Sequence, residues 1–290
     1  MDSSKVTAVL ILYETTEEVL KCLESLKDIK FIIVDNGKND KSIINQIKNY
    51  KNLSEYIVPK KNLGFGKACN QAFNLVKTEF TLFIEPDVTM SIKDIYSLIK
   101  TLEENPNAAF SVPLLIDNNK KIIDKLENLP EFYSNSENEK INEINQNLYN
   151  ALPEGDMCVN FSWAAVFMTN NKVIKKHGLF DEKYFIYWED FDLCRKYRFL
   201  KIPVIKSFDS RAEHKIAGST KKNIKNYFIL QKHHILSSYI YFKVNKKSFF
   251  IYKRFFTFLF RSLSNLFIFN FKKSIKNFAR ATAVITYIIS

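Results

Sequence analysis

The sequence predicts an α/β protein in which a mostly parallel sheet is flanked by helices and followed by a basic, aromatic-rich helical extension. Three observations carry this. Short apolar runs of strand length alternate with segments of helical periodicity through the first hundred residues, the pattern of βαβ units. Turn formers or glycines close several of those runs. Beyond residue 220 the composition changes: Lys221–Ser290 holds 14 Lys and Arg, no Asp or Glu, and 12 of the 26 Phe.

The elements follow in order. Val6–Leu12 is a continuous apolar run, and 17–26 shows helical spacing through Val19, Leu20, Leu23 and Leu26. Residues 31–34 form a second strand, closed by Asp35-Asn36-Gly37. A short helix over 42–50 precedes a third strand at 56–58. A helix over 66–76, a strand at Phe80–Ile84 and a helix at Ile92–Glu104 complete the alternation. Residues 109–116 read as a further strand. The polar stretch 118–153 is long for a structureless connection and reads as a partly helical excursion over the site. Apolar character resumes at 162–169. Asn171–His177 with Gly178 reads as a helix and its terminal glycine. Residues 190–200 form an amphipathic helix, and 203–205 a last short strand. The boundary between a catalytic domain, 1–220, and the C-terminal segment, 221–290, falls at the change in composition.

Composition narrows the function. With 46% apolar and 26% charged residues the chain is globular. Cys22, Cys69, Cys158 and Cys194 lie far apart with no Cys-x-x-Cys pair, against a zinc ribbon, a thioredoxin-type redox pair or a disulfide scaffold. The start carries an acid early and only a strand-length apolar run, so a reducing, cytoplasmic setting is expected. The net charge of +12 is local: outside Lys221–Ser290 there are 29 basic and 31 acidic residues. An anionic partner is therefore expected for the tail and not for the whole chain.

In a parallel sheet, ligands bind at the carboxyl ends of the strands. Tyr13, Asp35, the loop 60–66 and Glu85-Pro86-Asp87 should therefore meet in one crevice. Asn62-Leu63-Gly64-Phe65-Gly66-Lys67 leads from a loop into a helix, offering backbone N–H groups and the Lys67 charge to a phosphate. The alternative is a tight loop with a capped helix. Glu85 and Asp87, two residues apart on an extended segment, can both reach a hard cation such as Mg²⁺ or Mn²⁺ held with a diphosphate. Trp188-Glu189-Asp190-Phe191-Asp192 places carboxylates against aromatic rings, where lost hydration raises their pKa toward base-competent values. His214 follows the last expected strand.

These residues together resemble family 2 glycosyltransferases of the GT-A fold. The resemblance rests on Val34-Asp35-Asn36-Gly37, Asn62-x-Gly64-Phe65-Gly66-x-x-x-Asn70, Pro86-Asp87, Gly178-Leu179-Phe180-Asp181-Glu182, Trp188-Glu189-Asp190-x-Asp192-Leu193 and His214-x-x-x-Gly218-Ser219. It covers about residues 5–220 and is nearest to the bacterial rhamnosyltransferase-like enzymes of surface polysaccharide assembly. It implies an inverting transferase that uses a nucleotide-diphosphate sugar and Mn²⁺ or Mg²⁺. Asp87 corresponds to the metal-binding acid, His214 to a second metal ligand, Asp190 to the base and Asp35 to the nucleoside-binding acid. The chain departs from the family at Glu85, Leu12-Tyr13-Glu14 and Ala217-Gly218, which bears on donor identity and metal strength.

The resulting expectation is a metal-assisted single displacement. Glu85, Asp87 and His214 hold the metal; Tyr13, Asp35, Asn62, Gly64, Lys67 and Asp87 bind the nucleotide sugar. Asp190 is the base, Glu189 orients acceptor or sugar, and Trp163 and Trp188 stack on sugar rings. The acceptor is a lipid-linked glycan or a surface protein. The tail lies on the anionic inner face of the bacterial cytoplasmic membrane, or packs on the core or on a second subunit as a homodimer; nucleic acid is disfavoured because its aromatics come in greasy runs. A nucleotidyltransferase and a non-catalytic binding module are the competing classes. The first usually opens with a glycine- and base-rich loop, where this chain has Tyr13-Glu14-Thr15-Thr16.

Overall fold

A computed structural model describes residues 3–37, 39–124, 126–130, 145, 155–215 and 220–290. They form two compact units: Met1–Phe180 with Asp190–Thr220, and Asp181–Glu189 with Lys221–Ser290. In the first unit the chain runs β1 (Val6–Leu12), α1 (Glu18–Ser25), β2 (Lys30–Asp35), α2 (Lys41–Lys48), β3 (Leu53–Ile57), α3 (Phe65–Phe73) and β4 (Phe80–Ile84). It continues through β5 (Val88–Thr89), α4 (Ile92–Glu104), β6 (Phe110–Ile116), β7 (Asp156–Cys158), β8 (Val166–Asn170), α5 (Asn171–His177), α6 (Glu189–Phe199) and β9 (Val204–His214).

The strands make one sheet in the order β3-β2-β1-β4-β8-β6-β9-β5, with β7 beside β9. β1 to β4 pair in parallel, as the βαβ pattern requires. β8 is antiparallel to β4 and β6, β9 is parallel to β6, and β5 and β7 are antiparallel to β9. The α/β class with flanking helices therefore holds, with a sheet parallel in its N-terminal half and mixed beyond it. β1 reads as an unbroken apolar run because both faces are covered. Val6, Ala8, Leu10 and Leu12 pack with Leu23 and Leu98, while Val9 packs with Ala68 and Phe73.

The largest departure from the sequence reading is β9. A short strand at 203–205 was expected; the strand runs eleven residues, to His214. Its polar residues hid it, because several of them have partners inside the fold. Lys206 is 2% exposed and ion-paired with Asp124. Ser207 Oγ contacts Thr101 Oγ1 at 3.1 Å, Ser210 Oγ donates to the Asp94 carbonyl at 2.9 Å, and Arg211 N–H donates to Asp94 Oδ1 at 2.8 Å. A bulge between Pro113 and Leu114 on the β6–β9 ladder absorbs the irregular middle. The third strand likewise begins earlier than the expected 56–58. The expected helical course of 131–144 and 146–153 lies outside the described residues.

The second unit holds α7 (Ile224–Tyr241), α8 (Phe249–Phe267) and α9 (Phe271–Ile289). They enclose a core of Ile235, Tyr239, Ile251, Phe258, Val284 and Tyr287. Among the described residues no helix is long and apolar enough to cross a membrane.

Gly66 and Asn70 join α3 to the Gly178-Leu179-Phe180 segment. Asn70 Nδ2 donates to the Phe180 carbonyl at 2.9 Å, and Phe180 N–H donates to Asn70 Oδ1 at 3.1 Å. A Cβ on Gly66 would lie 2.8 Å from Phe180 Cβ. That atom is fixed to the backbone and has little room to yield. Gly66→Ala should therefore cost about 1–3 kcal/mol, read as a Tm lower by several degrees; an unchanged Tm would mean the contact relaxes freely.

Candidate active site

The site starts at the end of β4. Glu85 N–H donates to the Ala165 carbonyl at 2.8 Å, and Val88 N–H closes a turn onto the Glu85 carbonyl at 3.1 Å. Pro86 occupies the second position of that turn, where its fixed φ is favourable. The chain then enters β5, whose Val88 pairs with His214 at the end of β9. Lys215 N–H adds a bond to the Asp87 carbonyl at 3.0 Å. His214 therefore ends the last strand and does not merely follow it.

This pairing gathers the metal-type donors. His214 Nε2 lies 3.7 Å from Asp87 Oδ1 and 3.6 Å from Glu85 Oε2. One ligand atom from each of the three residues falls within 4.8 Å of the others. Two carboxylates and an imidazole at this spacing suit an oxygen-preferring divalent ion that also accepts nitrogen. Asp87 is 4% exposed, whereas the Glu85 side chain keeps 34%. Partial loss of hydration, with the charges of Asp87 and Asp190, raises the Glu85 pKa although a third of its side chain stays exposed. Burial lowers the His214 pKa against the opposing pull of Asp87, which favours the neutral imidazole that binds metals.

Asp190 is the second residue of α6. Burial, opposed by backbone hydrogen bonds and reinforced by the charge of Glu127, pushes its carboxyl up to about 6. Next to it, Phe191 stacks on Phe161 with ring centres 4.0 Å apart and planes 11° apart. The exposed Trp163 meets Phe161 edge-on at 5.6 Å. Phe161 was missed in the sequence, where it reads as another apolar residue.

The segment leading to Asp190 belongs to the second unit and is gripped there by α7. Ser237 Oγ donates to the Ile186 carbonyl at 2.9 Å, and the Phe185 ring lies 4.6 Å from that of His233. Trp188 packs 5.1 Å from Tyr241 and 5.2 Å from Phe242. Tyr187 and Trp188 both adopt left-handed backbone, with φ of 67° and 69°. Such bulky residues leave the ordinary regions only where the surroundings hold them, at about 1–3 kcal/mol each. Glu189, which ends this segment, is buried.

The remaining expected residues sit at the strand ends. Asp35 accepts from Gly37 N–H at 2.8 Å and from Tyr56 Oη at 2.6 Å, so it organises its own loop. Asn36, given no binding role from the sequence, is the connector. Its N–H reaches the Leu12 carbonyl at 2.8 Å, just before Tyr13. Its side chain bonds the Gly64 carbonyl at 3.0 Å and Leu63 N–H at 3.1 Å. Asn62 Oδ1 accepts from Gly64 N–H at 2.8 Å, and Gly64 needs its φ of 80° to start α3. Lys67 is exposed on the first turn of α3. Gly218 and Ser219 lie outside the described residues.

Acids just past the carboxyl end of β4 and the imidazole that ends β9 thus meet beside the parallel half of the sheet, where open α/β sheets bind their ligands. The sequence profile described as glycosyl transferase family 2 matches residues 7–167. The chain belongs to that family and is a glycosyltransferase. An uncharacterized glycosyltransferase of Methanocaldococcus jannaschii is 26% identical over 251 residues, 80% of each chain. Among solved structures, GalNAc-T7 with UDP, GalNAc and Mn²⁺ superposes with a TM-score of 0.58 at 12% identity, covering 81% of this chain and 48% of that one. This chain thus spans about half the length of GalNAc-T7. The mannosyltransferase PcManGT of Pyrobaculum calidifontis, in complex with GDP-Man and Mn²⁺, gives 0.55 at 10% identity, covering 98% and 73%. TarS of S. aureus gives 0.54 at 13% identity, covering 81% and 40%. These structures share the GT-A fold with the chain.

Mn²⁺ added to the metal-free protein should raise Tm, since a ligand at 100 times its Kd adds about 2.7 kcal/mol. Asp87→Asn or His214→Ala should remove most of that rise in a thermal-shift titration. Equal rises in wild type and both variants would place the ion elsewhere.

Proposed function

We propose that this chain transfers a sugar from a nucleoside-diphosphate donor to an acceptor hydroxyl by a single displacement that inverts the anomeric centre. The observation that carries the reading is the convergence of Glu85, Asp87 and His214 on one ion-sized space, with Asp190 close enough for its charge to act on Glu85. Asp190 takes the acceptor proton as the hydroxyl attacks. Its raised pKa keeps it a stronger base than an exposed aspartate while leaving it ionised at neutral pH. Asp87, His214 and Glu85 would hold Mn²⁺ or Mg²⁺, whose chemistry when bound is Lewis-acid stabilisation of the departing diphosphate. Mn²⁺ in GalNAc-T7 and PcManGT supports that choice.

Tyr13, Asp35, Asn62, Gly64 and Lys67 form the nucleotide end of the donor site, and UDP and GDP-Man in the neighbours support a donor of this class. The sugar is rhamnose, another hexose or an N-acetylhexosamine. Glu189 orients acceptor or sugar. Trp163, exposed beside the Phe161–Phe191 stack, supplies an acceptor platform. Trp188 serves by shaping the segment before Asp190. The acceptor is a lipid-linked glycan or a surface protein.

Asp190→Asn should lower kcat by about 10²–10⁴-fold while calorimetry shows donor binding within twofold of wild type. Retained turnover would reassign the base. In the wild type, kcat/KM should rise with pH through an apparent pKa near 6, because the base acts as its carboxylate.

The same shift has a stability consequence. The folded pKa, about 6, lies above the ordinary 3.8. The folded state therefore holds the Asp190 proton longer, and this group's contribution to stability falls as pH rises between those values. In EDTA at pH 7.5, Asp190→Asn should melt at or above the wild-type temperature, a difference that shrinks toward pH 4; a lower Tm throughout would show that the carboxylate is needed structurally.

A further inference from the structure

Two sides of α8 differ sharply. Ile251, Phe258 and Ser262 are buried within the second unit. Phe249, Tyr252, Phe256, Phe260, Leu263 and Phe267 recur every third or fourth residue on the opposite side, and all are exposed. Phe260 is 71% and Phe267 81% exposed, and the stripe continues into the following turn with Ile268 and with Phe269 at 78%. A contiguous aromatic face of this kind marks an interaction surface.

The charges around it select the partner. Lys253 and Arg261 are exposed on α8, and Lys272 and Lys273 follow the turn directly. Arg254 is exposed as well, its guanidinium over the Phe250 and Phe258 rings at 5.2 and 5.6 Å, whereas Arg280 is half-buried and lies over the Phe258 ring at 6.0 Å. Lys221–Ser290 contains no acid, so two copies meeting through this face would set like charges against each other. A nucleic-acid duplex would match the charge but leave the stripe in water. An anionic leaflet satisfies both, with phosphates for the cations and acyl chains for the rings.

We propose that this face docks on an anionic lipid bilayer. α8 lies in the headgroup plane, the turn at Ile268 and Phe269 inserts deepest, and Lys253, Arg261, Lys272 and Lys273 meet lipid phosphates. The inference goes beyond the transfer reaction and stands whether or not Asp190 is the base.

The full chain is tested by flotation with phosphatidylcholine vesicles, with and without phosphatidylglycerol. Deleting the tail would be a poor test, because α7 also grips the segment before Asp190. Wild type should float with the anionic vesicles and far less with the neutral ones. A variant carrying Lys253→Gln, Arg261→Gln and Lys273→Gln should lose on the order of 100-fold on anionic vesicles, roughly fivefold for each cation. A variant carrying Phe260→Ser, Phe267→Ser and Phe269→Ser should lose binding to both. Because all six side chains are exposed, both variants should keep the wild-type melting temperature and Mn²⁺ affinity. The proposal is overturned if wild type does not float with anionic vesicles, or if the Phe variant floats as wild type does. A wild-type dimer that the Phe variant dissolves, without vesicle binding, would instead assign the face to a second copy.

Discussion

The backbone pairing of Val88 with His214 is the constraint on which the site depends. Two carboxylates on a turn and an imidazole far along the chain have no reason to share a few ångströms unless the main chain holds them there. β5 is only two residues long, but Lys215 N–H on the Asp87 carbonyl and the Glu85–Val88 turn extend the anchorage on both sides. The donors are thus organised by peptide hydrogen bonds before any ligand arrives. The entropy of assembling them is met during folding, leaving binding energy for chemistry.

That organisation concentrates negative charge. Glu85, Asp87 and Asp190 occupy one small region; burial first of all raises the pKa values of Glu85 and Asp190, and the charges of Asp87 and Asp190 add to the rise at Glu85. The strand that carries His214 is stabilised elsewhere by a polar network. Lys206 with Asp124, Ser210 and Arg211 with Asp94, and Ser207 with Thr101 and its neighbours keep β9 in register although it lacks an apolar alternation. β9 resembles a ruler laid from this network to the site: shifting its register by one residue would turn His214 to the opposite face.

The second unit enters the same logic through the chain itself. α7 holds Phe185, Ile186 and Trp188 by stacking and by a hydroxyl–carbonyl bond, and the left-handed Tyr187 and Trp188 deliver the chain into α6 at Glu189. A basic tail that looks like an appendage in composition thereby supports the residues leading to the proposed base.

Much of this was legible in the sequence, for local reasons. Val6–Leu12 and Phe80–Ile84 are unbroken apolar runs because both faces of those strands are covered, and Asn171–His177 ends at a glycine with positive φ. Glu85-Pro86-Asp87 announced itself as acids just past a buried strand, and the tail by its charge. The tertiary structure alone decided the rest. β9 was hidden because polar side chains satisfied inside a fold look, in one dimension, like exposed ones. Gly66 and Phe161 owe their roles to a neighbour's Cβ and to a stacked ring. The amino-acid order determined which segments become strands and helices, since periodicity and burial are local; partnership across the sheet depends on register, which no stretch of chain contains by itself.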